Sequence, residues 1–424
     1  MAILKSRRWP QTFSSLASHD FRWFTISQLA GTTANWMAVI VQSLIVYDLT
    51  GSALVIGVVN VSKTVPTLIF GFIGGMLADR MDRRNLLMAS QLVSSCTAAA
   101  LGMLALSGTI QVWHFVAAAL LEGIAGSIQQ PARQALLPSV VPREHLMNAI
   151  ALTGGIWNAS RTIGPAFAGG AAAIAGPSGA LFLLASFYLF GAVATRGIST
   201  PVQPAAPGSD GSAVRAKSKG SRSLRAGFLE DLQGYSYLWQ NPVVGWLAVL
   251  AIVPVVFSMG HRILAPVFAK EVLGMGAGGV GLLLSAPGVG ALVAAFIVAT
   301  MSHVQRKGFL SLAGVVLHGL SVIVYALSNR LWLSLTALAV HGFAMTAYRS
   351  LNQTLVQFHT EDEYRGRVMA VYAADRGLHP ISGLMIALAA DLWGVQAAVA
   401  VSGLGCVLLA LVVGIKSPTI RHLD

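Results

Sequence analysis

The chain has 424 residues, 55% of them hydrophobic and only 10% charged, where an ordinary soluble domain carries roughly a quarter charged residues. That is too little charge to coat the soluble domains a chain this long would otherwise form, and the apolar excess, with a mean hydropathy of +0.69, excludes a disordered chain. Two cysteines exclude a disulfide framework, which leaves a protein whose outer surface faces lipid and a formal net charge of +12 to be placed.

Residues 1–20 carry Lys5, Arg7 and Arg8 and no apolar stretch before Phe21, so they read as a cytoplasmic N-terminal segment rather than a cleaved signal peptide. A spanning helix needs about 20 apolar residues. Such runs predict spans at 21–47, 53–78, 85–107, 110–137, 145–175 and 178–198, an N-terminal half over 21–198. A Gly-Pro-Ser-Gly connection joins the last two at 176–179. Residues 199–227 are rich in Pro, Ser, Gly and Ala and hold Arg215, Lys217, Lys219, Arg222 and Arg225. That composition predicts a flexible cytoplasmic linker. Phe228, Leu232, Tyr235 and Trp239 then recur at helical spacing, as in a short helix lying on the membrane surface. Further spans are predicted at 242–269, 277–302, 309–328, 331–358, 364–390 and 393–415. The surface helix and C-terminal half therefore occupy 228–415, and 416–424 is a cytoplasmic tail. The expected fold is all-α and integral to the membrane, with 12 transmembrane helices in two pseudo-symmetric six-helix halves.

Most of the 28 Lys and Arg fall in one alternate set of loops, while the opposite loops hold only Lys270 and Arg330. Cytoplasmic loops carry the cations, so both termini and the linker are expected inside, in the cytoplasmic (inner) membrane. Cations scattered over separate loops make no nucleic-acid surface. The halves also resemble each other. At an offset of 219, Trp113 falls on Trp332, Glu122-Gly123 on His341-Gly342 and Gln134 on Gln353; at 215, Arg161-x-x-x-Pro165 falls on Arg376-x-x-x-Pro380. Related halves are a common transporter design.

Gly75-Met-Leu-Ala-Asp79-Arg80-Met-Asp82-Arg83-Arg84 resembles the signature loop of the major facilitator superfamily, with Asp82 where that loop usually has a second glycine. Arg161-Thr-Ile-Gly164-Pro165-Ala-Phe-Ala-Gly169 is similar to the Gly-Pro motif of its antiporters. Tyr47-Asp-Leu-Thr-Gly-Ser52, Pro131-Ala-Arg133-Gln-Ala135 and Arg365-Gly-Arg367-Val-Met369 look like the twelve-helix drug:proton antiporter branch that includes macrolide exporters and the enterobactin exporter. The resemblance implies that the first, fourth, seventh and tenth spans line a cavity. It implies proton antiport, and an inner gate made by Gly75, Asp79, Arg80, Arg83 and Arg84, with Asp79 facing the N-terminus of the eleventh span. Gly164, Pro165 and Gly169 would be the antiporter helix motif.

Charge inside a membrane is costly and rarely idle. Lys63, Glu122, Arg161, His341, Asp375 and Arg376 fall near mid-span. Gln28, Asn35 and Gln42 stripe the first span, and Glu122, Gln129 and Arg133 share one face of the fourth. Glu122 is the first candidate for proton coupling, or else a brace paired with Arg161 or Lys63. His341, Asp375 and His379 are further candidates, or else hydrogen-bonded structural groups. Asn35, Trp36, Lys63, Arg161, Arg376 and Tyr348 are candidates for a solute site. A midplane surplus of Lys63, Arg161 and Arg376 over Glu122 and Asp375 favours an anionic or zwitterionic solute. The ten histidines are dispersed, no GxxxxGK[ST] occurs, and no cluster has metal-ligand or catalytic spacing. No cofactor, metal or enzymatic activity is expected. The expected partners are a small-molecule substrate, protons and lipid, for a monomeric exporter. An importer or facilitator, a lipid translocase and a non-transporting receptor or scaffold remain open.

Overall fold

The computed structural model describes the backbone of residues 11–199, 237–258, 260–300, 305–373 and 375–423, and their side chains except at 11–13, 79, 258, 260, 299–300, 362, 370–371, 373 and 375–380. Most of the expected linker and surface helix lie outside the described residues. Described elements are all helical. They are α1 His19–Thr50, α2 Ala53–Arg80, α3 Arg83–Leu106, α4 Val112–Leu136 and α5 Leu146–Arg196. There follow α6 Pro242–Ser258, α7 Gly260–Ile263, α8 Ala265–Glu271, α9 Ala277–Thr300 and α10 Lys307–Leu327. The last four are α11 Leu331–His359, α12 Asp362–Ala373, α13 Asp375–Trp393 and α14 Val395–Lys416.

Among the described residues, 10 helices are long and apolar enough to cross a membrane. α5 runs for 51 residues, about 77 Å at 1.5 Å per residue, against a hydrocarbon core of about 30 Å. Gly176 resolves the mismatch. Its backbone sits at φ 70°, ψ −175°, a conformation cheap only for glycine. Pro177 follows with no N–H for the helical ladder. The break falls inside the Gly-Pro-Ser-Gly connection. One other expected span is interrupted. The run 242–269 breaks at Leu264, between α7 and α8, where Pro266 in the first turn of α8 cannot continue a preceding helix; residue 259, between α6 and α7, lies outside the described residues. The run 364–390 is helical over 364–373 and 375–390, and residue 374 lies outside the described residues.

The outward faces are what lipid requires. Leu68, Ile69 and Phe72 of α2 and Phe296 of α9 are each more than 60% exposed. A surface rich in such side chains has no place in water. Between helices, small residues replace bulk, because lipid supplies no hydrophobic drive for association and close backbone packing must.

Contacts divide the chain into two compact units. The first is residues 1–51, 58–207 and 275–285; the second is 52–57, 208–274 and 286–424. In the first unit α1 lies along α5, and α3 packs on α4 and α5. At Gly164 a Cβ would stand 2.7 Å from Trp36 Cβ and 3.1 Å from the Thr33 carbonyl, so α5 meets α1 at backbone distance. At Gly169 a Cβ would stand 2.7 Å from the Ala277 carbonyl at the start of α9. A buried polar clasp ties three helices: Ser27 and Thr195 hydroxyls are 2.7 Å apart, and Gln91 Nε2 donates to Ser27 Oγ at 3.2 Å.

In the second unit α10 packs against α11 and α14, and α14 against α6. Leu247, Val315, Tyr348, Leu355 and Cys406 form a fully buried core there. The same unit holds the first turn of α2, which Asp391 of α13 caps. Ser52 Oγ donates to its carboxylate at 2.7 Å, Ala53 N at 2.9 Å and Leu54 N at 3.3 Å. A carboxylate on a helix N-terminus satisfies orphan donors and opposes the dipole. Asp391→Ala is expected to cost about 1 kcal/mol, read as a lowered thermal midpoint in detergent, with Asp391→Asn falling between.

Candidate functional site

Glu122 sits near the middle of α4, and its side chain is 1% exposed. The charge has been given one cation and one amide. Lys63 Nζ of α2 donates to Oε2 at 2.8 Å, and Gln42 Nε2 of α1 donates to Oε1 at 2.8 Å. Lys63 Nζ also donates to Asn35 Oδ1 of α1 at 3.2 Å. A buried ion pair tolerates its desolvation only when further hydrogen bonds complete it, and Asn35 and Gln42 supply them. Thr67 Oγ1 donates to the Lys63 and Gly123 carbonyls, both at 3.0 Å, binding α2 to α4 beside the pair. The predicted residues Glu122, Lys63 and Asn35 are thus one cluster. Of the two cations foreseen as partner of Glu122, Lys63 is the one seated at ion-pair distance.

These groups line a cavity of about 200 Å³ wholly within the first unit. Gln129, Arg133, Trp157 and Tyr188 also line it. Trp36 stands edge-on to Trp157, with ring centroids 5.8 Å apart, so the foreseen Trp36 adjoins the wall at Trp157. Arg161 is half-buried on α5, outside this wall. Arg133, read on one face with Glu122 and Gln129, is buried in the last turn of α4 at 8% exposure, because α4 runs on through Leu136 and its polar face stays inside the bundle.

The second unit has its own titratable cluster. His318 of α10 stacks on His341 of α11 with centroids 4.3 Å apart, and His261 of α7 meets His341 edge-on at 4.4 Å. Tyr348, one of the foreseen solute-site residues, is fully buried, its ring 5.7 Å from that of His318. His341 occupies the repeat position of Glu122, and the histidines that looked dispersed in sequence converge around it. No helical spacing announces His261 and His318, since each comes from a different helix. Among the described residues no group of three or more His, Cys, Asp or Glu could hold a metal ion. The side chains of Asp79, Asp375, Arg376 and His379 lie outside the described residues.

Near the signature loop, Arg83 Nε donates to the Ala78 carbonyl at 3.1 Å and Nη1 to the Ala135 carbonyl at 3.0 Å. Arg84 Nη2 donates to the Arg196 carbonyl at 2.7 Å. Each carbonyl lies in the last turn of a helix, α2, α4 or α5, where such oxygens lack intrahelical partners. Asp82, the departure from the superfamily's glycine, is the N-cap of α3 and accepts from Arg84 N at 2.8 Å. Its φ of −60° makes no demand for glycine. Gly75 lies on α2, and Arg80, at its end, is exposed.

The family model described as transmembrane secretion effector matches residues 10–422. The chain belongs to that family, within the major facilitator superfamily. Like its relatives, it is a multi-pass membrane transporter and not an enzyme. It is 23% identical over 393 residues to the staphyloferrin A transporter of Staphylococcus aureus, covering 92% of this chain and 94% of that one. It is 24% identical over 396 residues to macrolide efflux protein A of Streptococcus pyogenes, covering 91% and 93%. Its fold resembles the crystal structure of a bacterial homologue of the human lysosomal transporter Spinster, with a TM-score of 0.72 at 12% identity over 98% of this chain and 97% of that one.

Proposed function

We propose that this protein exports a small organic solute by exchange with protons, through alternating access. It acts as a monomer in the cytoplasmic membrane, with both termini inside. It has twelve spans in two halves: α5 counts as two, α6–α8 as one and α12–α13 as one. The observation that carries the coupling is Glu122, a buried carboxylate held by one ammonium and one amide in the wall of a cavity. A solute that brings hydrogen-bond donors to Glu122 stabilises the charged form and expels the proton; solute release lets the proton return. The histidine cluster around His341 is the matching group of the other half. Asp375 and His379 are further proton-coupling candidates; Arg161 and Arg376 are further solute anchors. Asp79, with Gly75 and Arg80, is proposed to close the inner gate, while Arg83 and Arg84 hold helix ends. Relatives named for staphyloferrin A and for macrolide efflux support a drug-like or siderophore-like solute.

The test is accumulation of a panel of siderophores, macrolides and anionic drugs in an efflux-depleted host. At least one solute is expected to accumulate several-fold less when the chain is expressed, and a protonophore is expected to abolish the difference. Export that persists with the proton gradient collapsed, or expression that raises accumulation, would overturn proton-driven export.

A further inference from the structure

Arg133 is placed where an unaccompanied cation is costly. It is more than nine-tenths buried. Nη1 donates to Thr32 Oγ1 at 3.3 Å, while Nε and Nη2, both buried, have no acceptor. Those two N–H groups form one straight edge of the guanidinium, the edge that grips a carboxylate through two parallel hydrogen bonds. Gln129 precedes Arg133 by one turn on the same face of α4, and its buried Nε2 also has no acceptor. Both residues line the cavity of about 200 Å³. Glu122 does not answer this need. It is committed to Lys63 and Gln42, and eleven residues of helix separate the two, about 16 Å along the axis at 1.5 Å per residue. The charged side chains of the cavity wall are Lys63, Arg133 and Glu122, so the wall carries one positive charge in excess.

Building on the transport function above, we propose that Arg133 and Gln129 form a subsite for the carboxylate of a small aromatic acid. The Nε–Nη2 edge of Arg133 takes both carboxylate oxygens, and Gln129 Nε2 adds a third donor. The ring lies in the remaining space, which Trp157 and Tyr188 border. The volume sets the size: drug-sized ligands occupy pockets of about 300 Å³ or more, so one ring with its acid group fits and a whole macrolide does not. The carboxylate is neutralised by its own guanidinium.

The subsite is tested by binding, independently of any flux. The full chain is placed in nanodiscs of neutral phosphatidylcholine, and quenching of tryptophan fluorescence is titrated with salicylate and with its uncharged analogue salicylamide. Salicylate is expected to bind at least tenfold more tightly than salicylamide. Arg133→Gln is expected to erase that preference, and Arg133→Lys to recover part of it without the bidentate grip. Gln129→Leu keeps the charge and is expected to weaken salicylate several-fold, which preserves the test if Arg133→Gln does not fold. Equal binding of salicylate and salicylamide would overturn the subsite. So would wild-type salicylate affinity in both Arg133→Gln and Gln129→Leu, or displacement of salicylate by laurate more readily than by benzoate, which would make the ligand an acyl chain. Loss of proton-driven export with salicylate binding intact would sink the transport mechanism and leave the subsite standing.

Discussion

Glu122→Gln is expected to reduce proton-driven export to the level of membranes without the protein, with solute binding largely kept. The amide preserves the volume and can still meet Gln42, but it has no proton to exchange. The same change removes the counter-charge of Lys63, whose side chain is only 24% exposed. Breaking a buried pair from one side costs about 3–5 kcal/mol; with Asn35 still accepting from Lys63 at 3.2 Å, the cost belongs near the lower end. Two effects are thus superimposed, and a second variant separates them. Lys63→Met together with Glu122→Gln removes both charges, so thermal stability is expected to recover while proton-driven flux is not. Flux in proteoliposomes under an imposed pH gradient and a thermal melt in nanodiscs read the two quantities. If flux survives in Glu122→Gln, or returns with stability in the double variant, the pair is a brace and the proton binds elsewhere.

Gly164→Val is expected to be strongly damaging in the first unit. A Cβ there would stand 2.7 Å from Trp36 Cβ and 3.1 Å from the Thr33 carbonyl. The second neighbour is backbone, which no rotamer change can relieve. Overpacking of a core costs about 1–3 kcal/mol, and β-branching adds to the crowding. The consequence also reaches the site: Asn35 adjoins Trp36 on α1, so pushing α1 off α5 draws Asn35 away from Lys63. Low yield of monodisperse protein and loss of flux are both expected. Gly170→Ala is the matched control, since a Cβ there meets nothing within 4 Å and alanine is the better helix former. Should Gly164→Val purify as well as Gly170→Ala, the close approach of α1 and α5 is wrong.

What could be read from the residues follows from how local each signal is. The break at Gly176 was legible because Gly-Pro-Ser-Gly states its backbone demand within four residues. The pairing of Glu122 with Lys63 was legible as an alternative, because each charge is placed by its own helical spacing and mid-span position. The choice of Lys63 over Arg161 was not, since it depends on which faces of α2 and α5 turn inward. Arg133 shows a different limit. Its face was legible beside Glu122 and Gln129, yet its burial was not, because burial depends on which helices pack against the last turn of α4. The histidine stack had no local signature at all. It arises where α7, α10 and α11 meet, and only the repeat position of His341 against Glu122 pointed toward it. The break at Leu264 was missed because hydropathy averages over a window that a single proline can break.

Arg83 and Arg84 carry a distinction between being charged and being shaped. During synthesis, insertion into the bilayer reads a cation as a cation, and lysine would anchor the loop equally well. The finished fold asks for more. One side chain must reach the last carbonyls of α2 and of α4 at once, which a planar fork with several donors can do and a single ammonium at the end of a flexible stem does poorly. The same two residues therefore answer to two readers, one of charge at the translocon and one of geometry afterwards. Lysine in their place would give a protein threaded in the right direction whose helix ends have come untied.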